Sequence, residues 1–186
     1  MYPRETIDCE RTQARNLCRG SVLFVQFRIF VKFSCYVAFN IIRKYFERVL
    51  FTLSNDRIMN IHQITFSPTG GTRRVSEMLC QGMGNEIVLT DLCVKAADIH
   101  LPDINENDLA VIAMPVFAGR VPALAVERLR KVNSHGAKCV VIAVFGNRAY
   151  DDALLEIRDV ASAMGFRVIA AVAAVAEHSI IRAYGQ

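Results

Sequence analysis

Three uninterrupted apolar runs constrain this chain more than any other feature: LAVIAM at 109–114, CVVIAV at 139–144 and VIAAVAAV at 168–175. Continuous runs of this length are strands buried on both faces, as in parallel sheets, although the alanines of the last run make a helix its rival. Between them, apolar residues recur at helical spacing, first Leu124, Val126, Leu129 and Val132, then Leu154, Leu155, Ile157 and Val160. Pro122 suits the first turn of one helix, and Asp151 and Asp152 complement the dipole at the start of the next. Gly136, after His135, and Gly165 end them. Upstream, Ile61 to Phe66 (IHQITF) is a buried strand, and Val75, Met78, Leu79 and Met83 mark a helix closed by Gly82 and Gly84. Glu86 to Leu92 (EIVLTDL) is a further strand, and residues 93–107 carry at most one helical turn, around Ala96 and Ala97. The order strand, helix, strand, short link, strand, helix, strand, helix, strand specifies an α/β protein with a doubly wound, parallel, five-stranded sheet.

Composition divides the chain in two. Residues 1–58 hold ten Lys/Arg against five Asp/Glu, and ten of the sixteen aromatic residues; residues 59–186 hold twelve basic residues against thirteen acidic ones. The net charge of +4 therefore belongs to the first third alone. Its apolar stretch, 21–53, is too long for a signal peptide and is followed by no small-residue cleavage site. Arg28 and Lys32 in its middle would each cost about 3 kcal/mol at a bilayer centre, which about fourteen apolar residues barely offset. On a helix, Arg28, Lys32 and Arg43 fall within about 60° of one another, which suits lying on a membrane surface better than crossing one. The favoured expectation is plainer still. The break at Met59 makes 1–58 an extension unrelated to the domain at 59–186, of the sort that a start codon assigned too early would leave.

Six cysteines, Cys9, Cys18, Cys35, Cys80, Cys93 and Cys139, form no C-x-x-C pair and no iron–sulfur or zinc spacing. They are expected to be free thiols in a reducing cytoplasm. His62, His100 and His135 lack metal-ligand spacing. Cys80, Cys139, Met78 and Met83 suit a core, and Arg128, Arg130 and Lys131 a solvated helix face rather than a nucleic-acid patch. Glu177-His178-Ser179 are adjacent on an extended segment, so they point apart and make no catalytic triad.

Ligands of doubly wound sheets bind beyond the carboxyl ends of the strands, where strand order reverses. Three unusual loops fall there. Ser67-Pro68-Thr69-Gly70-Gly71-Thr72 leads from a strand into a helix. Its glycines permit positive φ and close approach, its hydroxyls donate, and the helix N-terminus offers unpaired amides. It is a phosphate cradle, but neither a Walker loop nor a dinucleotide fingerprint. Arg73 and Arg74 oppose the helix dipole, a conflict that a bound anion eases. Pro115-Val116-Phe117-Ala118-Gly119-Arg120 offers Phe117 to a flat ring and, at Ala118 and Gly119, room for backbone to touch ring edges. Phe145-Gly146-Asn147-Arg148-Ala149-Tyr150 brackets a turn with two aromatics. Together they describe a site for a phosphorylated planar ligand.

FSPTGGT resembles the flavodoxin pattern T/S-x-T-G-x-T, with Ser67, Thr69, Gly70 and Thr72 at the pattern positions. PVFAGRVP, FGNRAYDDAL and GFRVIAAVAAVAEHSI are similar to one branch, the flavodoxin-like domain fused ahead of a bacterial-type 4Fe–4S ferredoxin domain. The resemblance covers nearly all of 59–186 and none of 1–58. It implies a flavodoxin-like fold, FMN as cofactor and one-electron exchange with an iron–sulfur protein or domain. Ser67 to Thr72 would hold the FMN phosphate, Val116 to Gly119, led in by Pro115 of the same cofactor-binding loop, would flank the isoalloxazine with the Gly119 peptide at the flavin N5, and Phe145 to Tyr150 would cover the other side with Tyr150 stacking. No side chain need act as acid or base. The sequence departs from the family in its near-neutral core, in the absence of ferredoxin cysteines, and in stopping at Gln186, where Ile180 to Gln186 would only begin a closing helix; it looks like a truncated member. A nicotinamide-dependent flavin or quinone reductase on the same fold is the alternative, and a degenerate or membrane-associated fragment the second.

Overall fold

The computed structural model describes residues 23–27, 60–81, 86–146 and 149–176. Six strands form one sheet: β1 (Leu23–Phe27), β2 (Asn60–Thr65), β3 (Glu86–Asp91), β4 (Leu109–Pro115), β5 (Lys138–Phe145) and β6 (Arg167–Val175). Their order across the sheet is β1-β6-β5-β4-β2-β3, and every pairing is parallel. Among the described residues three helices join the strands, α1 (Gly71–Gln81), α2 (Ala123–Leu129) and α3 (Ala153–Ala163), with one 3-10 turn at Ala96–Asp98 where the sequence led us to expect a short helical turn.

The five expected strands make the continuous part of the sheet, and β1 adds a sixth at its edge, with Leu23 opposite Ala170 and Phe27 opposite Ala174. The segment that holds it was expected to be an extension unrelated to the domain, with a membrane-surface helix as the rival; five of its residues instead pair with the sheet. The alanine-rich run at 167–175 is a strand because it fills the slot between β5 and β1, and from Ala170 onward it is buried on both faces. All residues of β4 and β5 are buried, as their apolar runs require. β3 is an edge strand, with Val88 and Leu89 exposed.

Side chains alternate between two apolar layers. On one face α1 lays Val75, Leu79 and Cys80 over Ile61, Leu109, Val111 and Val140. On the other, α2 and α3 lay Ala125, Leu129, Leu154 and Ile157 over Ile64, Ile112, Met114 and Val141. Each of the larger of these side chains contributes roughly 1.5–3 kcal/mol by leaving water. Leu124, expected in the core, is exposed, because α2 turns Ala125 and Leu129 inward instead. Cys80 and Cys139 are fully buried, and burial pushes the Cys80 thiol up to about 12. Gly165 (φ +88°) closes α3; the Phe166 N–H donates to Ala161 O at 3.1 Å and the Gly165 N–H to Ser162 O at 3.0 Å, a paired C-terminal cap.

A polar cluster locks the amino ends of β2 and β4. Asp108 is buried. Its Oδ1 accepts the Asn60 N–H at 3.0 Å, and its Oδ2 accepts the Asn105 N–H at 2.9 Å and lies 3.2 Å from His62 Nε2. Burial alone would raise this carboxyl, but the bonds from Asn105, His62 and Asn60 outweigh it and hold the group below the usual aspartate value.

Candidate functional site

The chain leaves β2 for β3 in one direction and runs through β4, β5 and β6 in the other, so strand order reverses between β2 and β4. The crevice above their carboxyl ends is the place where this architecture takes ligands. The loops at 67–70 and 116–122 flank it. The Phe66 N–H donates to Ala113 O at 3.2 Å, and the Val116 N–H to Val144 O at 2.9 Å, so both loops leave the sheet in fixed register.

The first loop is a tight turn. The Gly70 N–H donates to Ser67 O at 3.2 Å, and Gly70 takes φ +81°, a conformation that favours glycine. Ser67 Oγ accepts the Arg73 N–H at 3.0 Å, capping α1. The Arg74 N–H is taken by Gly70 O at 3.0 Å. The amides of Gly71 and Thr72 remain as the open donors of the helix start. Pro68 and Thr69 are exposed, while the Thr72 side chain is buried. Arg73, which opposes the dipole, is engaged by Glu77 at 2.7 Å one turn along. Replacing Ser67 by alanine removes the cap, and we expect a loss of about 1 kcal/mol in urea unfolding.

Behind this turn stands a bracket that no sequence signal announced. The Ser67 N–H donates to Cys93 Sγ at 2.9 Å, and the Cys93 N–H donates to Asp91 Oδ1 at 2.7 Å. Arg128, expected on a solvated face, instead reaches from α2 to donate to Leu92 O and, at 2.7 Å, to Val94 O. Burial raises the Cys93 thiol, opposed in part by the Ser67 N–H, so it is held as the neutral acceptor.

In the second loop, Phe117 and Arg120 exchange backbone hydrogen bonds of 2.9 and 3.1 Å across a two-residue turn. Ala118 (φ +50°) and Gly119 (φ +77°) are both left-handed, as a type I′ turn requires. This lifts Phe117 to 52% exposure at the crevice mouth, a free aromatic face for a planar ligand. Ala118 is exposed too, Val116 half-buried and Pro115 buried. Gly119 is buried against the third loop: a Cβ there would lie 2.1 Å from Asp151 Oδ2. Arg120 folds back onto Glu156 at 3.1 Å, and Glu156 also accepts the Val121 N–H at 3.2 Å.

The third loop departs most from expectation. Tyr150, expected to stack on a ligand, is fully buried and packs on Phe145, ring centroids 5.2 Å apart and tilted by 55°. Phe145 is buried as well. The turn at Asp151 (φ +39°) sends the chain into α3 with the Tyr150 ring in the core beneath it. Gly146 is half-buried at the strand end; Asn147 and Arg148 lie outside the described residues, as do Gly82, Gly84 and Glu177-His178-Ser179. The site residues that do share the crevice are thus the turn at 67–72 and the hairpin at 116–119. Among the described residues, no group of three or more His, Cys, Asp or Glu side chains is placed to hold a metal ion, and no helix is long and apolar enough to cross a membrane.

No protein-family model and no curated protein gives a significant match to the chain. Solved structures do. The chain is similar to a flavoprotein from Lactobacillus acidophilus NCFM, determined in complex with FMN, with a TM-score of 0.52 and 16% identity over 69% of this chain and 99% of that one. It also matches a flavodoxin from the domain Archaea, with a TM-score of 0.49 and 16% identity over 64% of this chain and 85% of that one. A third match is a Streptococcus pneumonia TIGR4 flavodoxin, with a TM-score of 0.47 and 18% identity over 64% and 87%. Together with the strand order β6-β5-β4-β2-β3 of the continuous sheet, the first of these likenesses gives the chain a flavodoxin-like fold.

Proposed function

We propose that this protein binds FMN in the crevice between the 67–72 turn and the 116–119 hairpin, and passes single electrons to or from an iron–sulfur protein or domain. One observation carries the reading. A glycine-bearing turn at the strand-order reversal feeds directly into the start of α1, with the Gly71 and Thr72 amides open above it. A dianionic phosphate is the ligand group that those donors and the positive dipole end suit. The exposed Phe117 supplies the flat apolar contact that an isoalloxazine needs. The likeness in fold to a flavoprotein determined with FMN supports the same cofactor.

FMN would supply the redox chemistry, and the chain's part is to bind and orient it. Ser67, Thr69, Gly70, Gly71 and Thr72 would hold the phosphate. Phe117, Ala118 and Gly119 would border the ring, with the 116–119 backbone supplying polar groups to its edge. Tyr150 would act from below, supporting Phe145 at the floor of the crevice. The likeness of the loops to the flavodoxin-like domain of ferredoxin fusions supports an iron–sulfur partner.

The test is reconstitution of the purified chain with FMN, followed by its visible absorption and by quenching of flavin fluorescence. Thr69→Ala should weaken FMN about fivefold to tenfold by removing one hydroxyl donor. Gly70→Val should weaken it further, because a β-branched residue resists φ +81°. Unchanged affinity in both variants overturns the phosphate cradle. Rapid reduction of the bound flavin by NADPH, in place of exchange with a reduced ferredoxin, would make the protein a reductase.

A further inference from the structure

We propose that the outer edge of β3 is a self-recognition surface, on which a second copy of this chain lays its own β3 antiparallel and extends the sheet across a twofold axis, whatever ligand the rim binds. Among the described residues β3 ends the strand order. It pairs with β2 in an unbroken register, from Asn60 opposite Glu86 to Thr65 opposite Asp91.

Backbone direction shows what that edge offers. Successive residues of a strand turn their N–H and C=O groups alternately to its two sides. The Leu92 N–H donates to Thr65 O at 2.8 Å, so the groups of Leu92, Thr90 and Val88 face β2. On the far side of β2 the Phe66 N–H donates to Ala113 O, which fits the same alternation. The groups of Ile87, Leu89 and Asp91 therefore point away from β2, along the outer edge.

The side chains leave this edge approachable. Val88 and Leu89 lie on opposite faces of the sheet, and each is 38% exposed, so the edge is sealed from neither side. Edge strands that avoid pairing carry a proline, a lysine, an inward charge or a bulge. EIVLTD has no proline and no lysine, its ladder to β2 has no bulge, and its two charges stand at its ends.

Register selects a second copy as the occupant. With Leu89 opposite its own copy, Ile87 meets the partner's Asp91 and Asp91 meets the partner's Ile87. Each such pair exchanges two backbone hydrogen bonds, and every outward group is used. The two Leu89 side chains meet on the α1 face, and Val88 lies beside the partner's Thr90 on the other. Glu86 falls opposite the partner's Leu92, so no carboxylate faces another. The one-residue shift that would set Glu86 against Asp91 also turns the bonding groups the wrong way. An edge that satisfies itself about a twofold axis is what an isologous dimer requires.

Sedimentation velocity on the full chain, from about 5 to 300 μM, tests this. The weight-average mass should rise from one chain toward two as concentration increases. Leu89→Pro removes no bond to β2, because the Leu89 N–H points outward, but it blocks the pairing. Leu89→Lys sets like charges against each other across the axis. Both should weaken the dimer at least about tenfold, with the circular dichroism of the dilute chain unchanged. Leu124→Lys, at a leucine of α2 that is 46% exposed, should leave the dimer intact. A monomer across the whole range overturns the proposal, as does a dimer that survives both Leu89 variants or one lost equally with Leu124→Lys. Amide exchange read by NMR on the unaltered chain gives a second measure. The Leu89 and Asp91 amides should slow with concentration while those of Val88 and Thr90 stay constant; no such difference also overturns it.

Discussion

Replacing Asp108 by alanine should lower stability by about 3 kcal/mol, the largest effect we expect from a residue remote from the crevice. The carboxylate is buried and takes the backbone N–H groups of Asn60 and Asn105 as well as the His62 ring. Alanine leaves those donors without an acceptor in a dry site, at roughly 1–3 kcal/mol for each that water cannot reach. For a chain of this size the melting temperature should fall by about 10 °C. Asp108→Asn keeps the shape and one acceptor and should lose about half as much. The charge makes the effect depend on pH. Because the folded carboxyl is held below its ordinary value, the unfolded chain takes up a proton first as acid is added. The stabilisation is complete above about pH 4 and is lost as pH falls through the depressed folded value. The gap between the urea midpoints of wild type and Asp108→Asn should narrow as pH falls from neutral to about pH 3; a constant gap across that range would show that the charge contributes nothing.

The second large effect is at Gly119. Alanine there must adopt φ +77°, at about 1 kcal/mol. Its Cβ would also lie 2.1 Å from Asp151 Oδ2 and 2.9 Å from Asp151 Cβ, so the carboxylate and its backbone have to move. We expect Gly119→Ala to lose about 2 kcal/mol in total, the second part from overpacking. A double-mutant cycle separates the parts: Asp151→Ala in the Gly119→Ala background should restore about half of the loss, measured against Asp151→Ala alone. Full additivity of the two changes would remove the steric part of the argument. Since the same hairpin carries Phe117, the proposed FMN binding should weaken in the single variant and partly recover in the double.

The strands from β2 to β6 were legible because their cause is local. A run such as CVVIAV has no polar residue to place in water, and it can be satisfied only between two layers. The turn at Ser67 to Gly70 was legible for the same reason: a glycine pair between a strand and a helix has few uses. What could not be seen were contacts between residues far apart in sequence. Cys93 and Arg128 carry no pattern of their own, and their roles exist only once α2 and the end of β3 are brought together. Tyr150 was misplaced because a loop has no period from which to tell an inward ring from an outward one. Leu23–Phe27 was missed although its aromatic and β-branched residues suit a strand, because the basic, aromatic stretch around it differs so much from the domain that it reads as unrelated, and only the edge of β6 gives it a partner.

The bracket behind Ser67 has a practical consequence. Arg128 belongs to the layer beneath the sheet, yet through the carbonyls of Leu92 and Val94 it fixes the thiol on which the Ser67 amide rests. Grip at the mouth is therefore adjustable from the back of the molecule, and libraries meant to retune the crevice on this scaffold can vary α2 while leaving every crevice-facing position alone.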